Sequence, residues 1–552
     1  MVRPRFRLVC WSILSMLLAG PMVAPAVAGF FDDVGYTELL SELGPALPTG
    51  QGVGVTQVEA SSGGSYAPDL EGDAFIGKTF YLMSGDSNVS AHANSIAKQI
   101  YGNVQSMAPG VTEIDLWNAP LWLQSGFLKT SAVEPPDVER RQVQNHSWIG
   151  SMSSRSATID ALRRLDYAIV RDGFTAVVGM DNGDSTTLPD LLGQSYNTIS
   201  VGRTDGNHSH GDTLFDGTGR SKPDLVAPSP TTSSATARVS SAAALLIDAA
   251  DGSDAGRPEA VKAILLSGAT KDEFDGNWAR TSTRPLDEVY GAGELNIDRG
   301  YHIFASGRQS GGDGSTVPIR GWDYRQTVSD GVRYFFDVPA GQMLSEWSAV
   351  LTWNRIITDD DRIGFSPVSS LANLDLALYR AEAFTVTQRL DVSASSGNNI
   401  EHIYANNRLG LGSNLGPGRY ALEVRRQSAE EIGYALAWYG ELGPLLGDMN
   451  LSGLLDYDDI GPFTTAVADP SAYEERYGVS ASARGDMNAN GLFDFDDIMA
   501  FMEHLQLLAV AASLESVPEP STWTLACLLI LSLGTRRTAI PLDGCSADGR
   551  PS

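Results

Sequence analysis

"KPDLVAPSPTTSSATARVSSAAALLID", Lys222 to Asp248, decides how this chain is read. A Pro-rich stretch gives way to crowded Ser and Thr, and then to an apolar run that only a buried helix accommodates. Hydroxyls at the mouth of a buried helix serve as caps and packing, or one of them serves as a nucleophile. Around this stretch, from about Gly50 to Phe304, strand-like and helix-like runs alternate: "GVGVTQV", "SIAKQIYGNV", "VTEIDLW", "ATIDALRRLDYAIV", "TAVVGM", "NTISVG", "SAAALLIDAA" and "PEAVKAILLSGA". The alternation predicts an α/β fold, a mostly parallel sheet with helices on both faces. Catalytic groups in such sheets gather at the carboxyl ends of the strands.

A base near a serine narrows the search. Of seven histidines, His302, His402 and His504 lie at or beyond the edge of this region. His208 and His210 sit in "DGNHSHGD", which reads as a solvated loop rather than a metal site, and His146 follows a strand. His92 opens a helical pattern, "HANSIAKQIYG", where an exposed imidazole can act as a general base. Upstream, "GQGVGVTQVEA" is an apolar strand ending in Glu59, a costly place for a carboxylate without a partner such as an imidazole N–H.

Acid, histidine, serine is the chain order of subtilisin, and the region resembles the subtilase family of serine peptidases. "GQGVGVTQVEA" resembles the family's acid strand, with Glu59 where Asp is usual, and "HANSIA" its histidine motif. "NHSWIG" is similar to the substrate-wall strand, which implies substrate contacts from Ser147, Trp148 and Gly150. "VVGMDNG" resembles the strand that ends in the oxyanion-hole asparagine, here Asn182. "KPDLVAP" and "YGAGELNIDRGY" also match family segments. Laying the serine motif on "TTSSATARVSS" implies Ser233 as nucleophile, with Thr231, Ala237 and Arg238 in place of the family's Gly, Pro and His. Ser234 is the alternative if the register slips, and Ser240 and Ser241 read as packing or back-bonded hydroxyls. The resemblance thus implies a serine endopeptidase with a Glu59/His92/Ser233 triad that needs no cofactor for catalysis and acts on protein or peptide substrates. A catalytically silent subtilase fold used for surface binding is the competing reading.

From about Ser310 to Leu442, short alternating runs parted by Gly, Pro and Asn predict an all-β sandwich. An internal repeat follows, "GDMNLSGLLDYDDI" from Gly447 and "GDMNANGLFDFDDI" from Gly485. Oxygens fall at Asp448, Asn450, Ser452, Asp456 and Asp459, and again at Asp486, Asn488, Asn490, Asp494 and Asp497, with backbone carbonyls from Leu454 and Leu492. Gly453 and Gly491 occupy the sharp turn. This is the ligand spacing of an EF-hand-type loop, so a small helical module holding Ca2+ is expected. With Asp closing each loop the repeats are similar to dockerin modules, which implies a cohesin-like or other cell-surface partner.

The chain of 552 residues carries a formal charge of −28, too acidic to neutralise phosphates, so nucleic acid is excluded as a partner. Its first 28 residues read as a secretory signal peptide. Cys10, Cys527 and Cys545 lie at the extremes, so no disulfide spans the body between them. Near the end, "VPEPSTWTLACLLILSLGTRR" sets Pro-Glu-Pro before a short apolar run and paired arginines. It resembles a PEP-CTERM sorting signal and implies a membrane contact through this segment and an exported, surface-sorted protein. The expected organisation is signal peptide (1–28), peptidase domain (29–308), β-sandwich (309–445), calcium repeats (446–507), sorting signal (508–540) and tail (541–552).

Overall fold

The computed structural model describes residues 25–513 except 62, 275, 328–330, 361–363 and 489, with side chains described between residues 29 and 505. The sorting signal beyond residue 513 and the tail lie outside the described residues, as does the signal sequence up to residue 24. The expected cleavage after Ala28 falls within the first helix, α1 (Pro25–Asp33), which leads into α2 (Tyr36–Leu43). Among the described residues, no helix is long and apolar enough to cross a membrane.

Strands β1 (Gly54–Glu59), β2 (Thr79–Leu82), β3 (Glu113–Asn118), β4 (Val143–His146), β5 (Thr175–Gly179) and β6 (Ile199–Arg203) enter one sheet. The short pair β7 (Gly211–Asp212) and β8 (Ser221–Lys222) stands apart, and β9 (Leu225–Ala227) completes the main sheet in the order β2-β3-β1-β4-β5-β6-β9. Every pairing in it is parallel. Leu225 to Ala227 of "KPDLVAP" thus form an edge strand, and the hydroxyl-rich run after it starts a helix. Helices α3 (Ala91–Ile100), α4 (Ala119–Gln124), α5 (Arg155–Asp172), α6 (Thr232–Ala250), α7 (Pro258–Gly268) and α8 (Ile297–Ala305) surround the sheet. β1, β4 and β5 are buried throughout; β1 and β5 read as apolar runs for that reason, whereas β4 buries Gln144, Asn145 and His146. β2, half-exposed at the edge, carries no such signal and is absent from the strand-like runs quoted above. Chain order reverses between β1 and β4, and crevices at such switch points hold ligands.

The all-β region begins with β10 (Gly321–Arg325), β11 (Val332–Val338), β12 (Gln342–Thr352) and the hairpin β13 (Ile356–Asp359) and β14 (Pro367–Ser370). It continues through β15 (Leu374–Glu382), β16 (Thr385–Ser393), β17 (Ile400–Asn406), β18 (Gly418–Arg426) and β19 (Tyr434–Pro444). Two antiparallel sheets result, β10-β19-β12-β17 and β11-β18-β15-β16, facing one another over Tyr334, Phe336, Trp347 and Trp438. The first sheet also covers the α/β region: α7 packs on β12 and β19. Along β19 the alternation divides between two cores. Tyr434, Leu436 and Trp438 face the sandwich interior, while Ala435, Ala437 and Tyr439 join the core around α6 and α7.

The repeat region folds as α9 (Ile460–Ala468), α10 (Pro470–Tyr477), α11 (Ala481–Gly485) and α12 (Asp497–Ser513), each repeat loop leading into a helical segment. A small core of Met449, Phe463, Tyr473 and Phe501 holds them together.

Candidate active site

β1 delivers Glu59 to the switch point with its side chain 1 % exposed. Its Oε2 lies 2.7 Å from Nδ1 of His92, and its Oε1 accepts from Gln57 Nε2 at 2.8 Å. Gln57 Nε2 also donates to the Ala93 carbonyl at 3.0 Å, and Tyr101 donates to Gln57 Oε1. One buried amide therefore fixes both the carboxylate and the start of α3. Gln57 was not singled out from sequence, although a polar residue two places before Glu59, on the same face of an apolar strand, was a signal for it.

His92 stands at the start of α3, whose N-cap Ser90 accepts from Ala93 N–H. A carboxylate at Nδ1 fixes the tautomer that leaves Nε2 as the acceptor. The imidazole is half-exposed, and the hydrogen bond that it donates to Glu59 raises its pKa above the ordinary histidine value, against the opposing effect of burial.

Ser233 lies in the first turn of α6, where the N-cap Thr231 accepts from Ser234 N–H. The Ser233 hydroxyl donates to the Ser147 carbonyl at 3.4 Å, and the Ser147 hydroxyl donates to the Ser233 carbonyl at 3.0 Å. Ser234 instead accepts from Gln99 Nε2 at 3.2 Å, buried against α3. Ser240 and Ser241 were expected to pack or bond back along their own helix. They bond across the fold: Ser240 donates to Asn145 Oδ1 at 3.0 Å, and Ser241 accepts from Met107 N–H at 2.9 Å.

His92, Ser233, Ser147, Trp148, Asn182 and Thr232 line one cavity of about 280 Å3, with Ile149, Met180 and Asp181 on its walls. Asn182 Oδ1 accepts from Thr232 N–H at 3.0 Å, which leaves the amide nitrogen as its donor. Asp181 turns its carboxylate onto its own loop, accepting from Asn182 N–H at 2.8 Å. The wall differs from expectation in one residue. Ile149 lines the cavity, whereas Gly150 stands behind it, where an added Cβ would meet the Trp148 ring at 3.2 Å. His208, read as part of a solvated loop, is buried. Its Nε2 donates to the Val289 carbonyl at 2.9 Å, and burial brings its pKa down to about 4. His146 is buried too, edge-on to Trp122, with a pKa lowered to about 3 by burial.

The repeat loops share one backbone pattern. Asp448 accepts from Ser452 and Gly453 N–H as Asp486 does from Asn490 and Gly491. Asp459 accepts from Asn450 and Asp456 N–H as Asp497 does from Asn488 and Asp494. Gly453 (φ +89°) and Gly491 (φ +83°) make the turns. Asp448, Asp459 and Asp497 are buried, and an all-oxygen donor set without imidazole or thiol fits calcium.

Residues 84–293 match the family described as "Subtilase family". The match takes in His92, Ser147, Asn182 and Ser233 but begins beyond Glu59. Among solved structures, the chain is similar to a cold-adapted subtilisin-like serine proteinase, at 19% identity over 41% of this chain and 85% of that one, with a TM-score of 0.29. It is also similar to fervidolysin from Fervidobacterium pennivorans, described as a keratinolytic enzyme related to subtilisin, at 14% identity over 75% and 76%, with a TM-score of 0.33. A third likeness is to the pre-peptidase C-terminal domain of a collagenase from Bacillus anthracis, at 14% identity over 24% and 97%, with a TM-score of 0.15. No curated protein matches the chain.

Proposed function

We propose that the chain is a subtilisin-like serine endopeptidase that hydrolyses peptide bonds through an acyl-enzyme on Ser233. The observation that carries this reading is the Glu59–His92 pair, 2.7 Å apart, facing a cavity that Ser233 and Asn182 also line. The Ser233 hydroxyl turns from the Ser147 carbonyl toward His92 Nε2, which takes its proton as Oγ bonds to the scissile carbon. The Asn182 amide and the Ser233 N–H face the oxyanion so formed, and one such donor lowers the barrier by roughly 2.7–4 kcal/mol. His92 then returns the proton to the leaving amine as the C–N bond breaks, and water repeats the sequence to release the acid. Glu59 holds the ring in the required tautomer and stabilises its charged form. Trp148 and Ile149 form the apolar wall that a substrate side chain meets.

A fluorophosphonate probe tests the assignment. The native protein is expected to be labelled, and Ser233→Ala and His92→Ala are expected to abolish labelling. Labelling that survives Ser233→Ala would place the nucleophile elsewhere, with Ser234 the first position to examine. A native protein that is never labelled would support the silent, surface-binding reading.

The same proposal takes in the remainder of the chain: export, sorting to the surface through the C-terminal segment, and calcium in both repeat loops, presented to a cohesin-like partner. For the loops, Asp448, Asn450, Ser452, Asp456 and Asp459, and their counterparts in the second repeat, would hold the ion, with Leu454 and Leu492 adding carbonyls. Chelation with EGTA is expected to lower the melting midpoint of the native chain, and to leave that of an Asp459→Asn/Asp497→Asn variant in place. A native midpoint indifferent to EGTA would count against structural calcium.

A further inference from the structure

The segment before β1 is an arm that lies along α8. Phe30, Val34 and Leu39 are buried in the main core, and the Val34 carbonyl accepts from Ile297 N–H at 2.8 Å. The arm closes tightly at Gly35, in the left-handed region at φ +73°, where an added Cβ would stand 2.8 Å from Asp298 Cβ. Just beyond this contact, Glu42 of α2 meets Asp298 and His302, one helical turn apart on α8. His302 Nε2 lies 3.1 Å from Glu42 Oε2 and 3.4 Å from Asp298 Oδ1, and the three ligand atoms all fall within 4.8 Å of one another. No other group of three or more His, Cys, Asp or Glu side chains among the described residues meets that limit.

We propose that Glu42, Asp298 and His302 form a binding site for one zinc-class divalent cation that staples the N-terminal arm to α8. Two donors held about 2.1 Å from one tetrahedral ion stand roughly 3.4 Å apart, close to the 3.1 and 3.4 Å from His302 Nε2 to the two carboxylates. The i, i+4 spacing on α8 puts Asp298 and His302 on one face, and the third ligand comes from a remote segment, so the group is more than a pairing within one helix. All three side chains are partly exposed, which leaves a fourth position to water. The imidazole sets the metal class. Zinc and its neighbours take nitrogen with carboxylate oxygen, whereas calcium and magnesium prefer oxygen alone, so this site differs in kind from the repeat loops. A chain without disulfides in its body gains from such a cross-link what a bridge would otherwise supply.

A proton on His302 shared between the two carboxylates would give similar distances, and cobalt titration separates the cases. The metal-stripped full chain, with calcium in excess, is expected to bind one equivalent of Co2+ with the visible absorption of a tetrahedral nitrogen–oxygen site. Zn2+ should displace the cobalt and raise the melting midpoint. His302→Ala is expected to lose both the band and the shift in midpoint. Glu42→Gln, at a half-exposed position that tolerates the change, should weaken Co2+ binding by roughly tenfold or more. The Ser233→Ala protein should bind as the native chain does, which keeps this test independent of the peptidase assignment. A native chain without the band, or a band that persists unchanged in His302→Ala or at unchanged affinity in Glu42→Gln, overturns the site.

Discussion

Glu59 is one methylene longer than the aspartate usual at the end of such a strand. The structure accommodates the extra length through Gln57, whose amide holds one carboxylate oxygen while His92 takes the other. Glu59→Gln keeps the shape but can favour the wrong imidazole tautomer, so kcat/KM for a peptide substrate should fall by roughly 10^3–10^4-fold. The pH dependence follows from the raised pKa of His92. Catalysis needs the neutral ring, so the acidic limb of the native rate profile should lie above the ordinary histidine value and move down in Glu59→Gln. For stability the sign reverses. A histidine whose folded pKa is raised stabilises fully below its unfolded value of about 6.5, and that contribution is lost as pH rises through the folded pKa. Melts of the two proteins should therefore differ more at acid pH than at alkaline pH. Equal differences at both would mean that the pair carries no such linkage. At this scale the chemical residue types were legible in the sequence, because a terminal carboxylate on an apolar strand and a hydroxyl at a helix mouth each require a reason. Their supports were not. Ile149 in place of Gly150 and the burial of His208 depend on how loops turn after strands, which residue order does not encode locally, while Gln57 needed the partners that only the folded α3 supplies.

At the scale of elements, α6 carries Ser233 through the centre of the peptidase core, packed on β4, β5, β6 and α3. Its N-cap therefore bears on both the stability of the helix and the orientation of Ser233. Thr231→Ala removes the side chain that accepts from Ser234 N–H, and should cost about 0.5–2 kcal/mol in denaturant unfolding. It should also slow fluorophosphonate labelling, whereas loss of stability with labelling unchanged would separate the cap from the aim of Ser233. The buried strands β1, β5 and β6 and the long helices were readable because they are apolar or periodic. β2 was not, since a four-residue edge strand with alternating exposure looks like loop. Ser240 and Ser241 are buried, as the packing reading had it, but their partners were not legible for a related reason. A hydroxyl inside a helix bonds back along it only when nothing opposite offers a partner, and here β4 and the turn before β3 do.

Across the whole molecule, the peptidase region and the sandwich share one interior. Arg355, from the sandwich, is buried against Asp166 of α5, with its Nε 3.0 Å from Oδ2, and it also pairs with Asp216. Asn197 exchanges two hydrogen bonds with the Arg355 backbone, at 2.8 and 2.9 Å. Arg355→Ala leaves Asp166 buried without this cation and should destabilise the chain by about 3–5 kcal/mol. The peptidase region and sandwich should still melt in one transition, and two resolved transitions in the native protein would show that they unfold separately. Sequence alone drew a boundary near residue 308, because the change from helical to alternating patterns is real. It did not reveal that β19 serves two cores, since an alternating strand reads the same whether its second face meets water or a helix. The small side chains of Ala435 and Ala437 against α7 have a consequence for synthesis. A chain emerging from its N-terminus completes all of α3, α6 and α7 while β19 is still to come, so the part of α7 that β19 covers, beside the part that β12 covers, stays open until the final strand of the sandwich arrives. A chain built this way is completed late. Its own core is finished only when the accessory sheet has been made, which defers full assembly of the region carrying Ser233 until translation is well advanced.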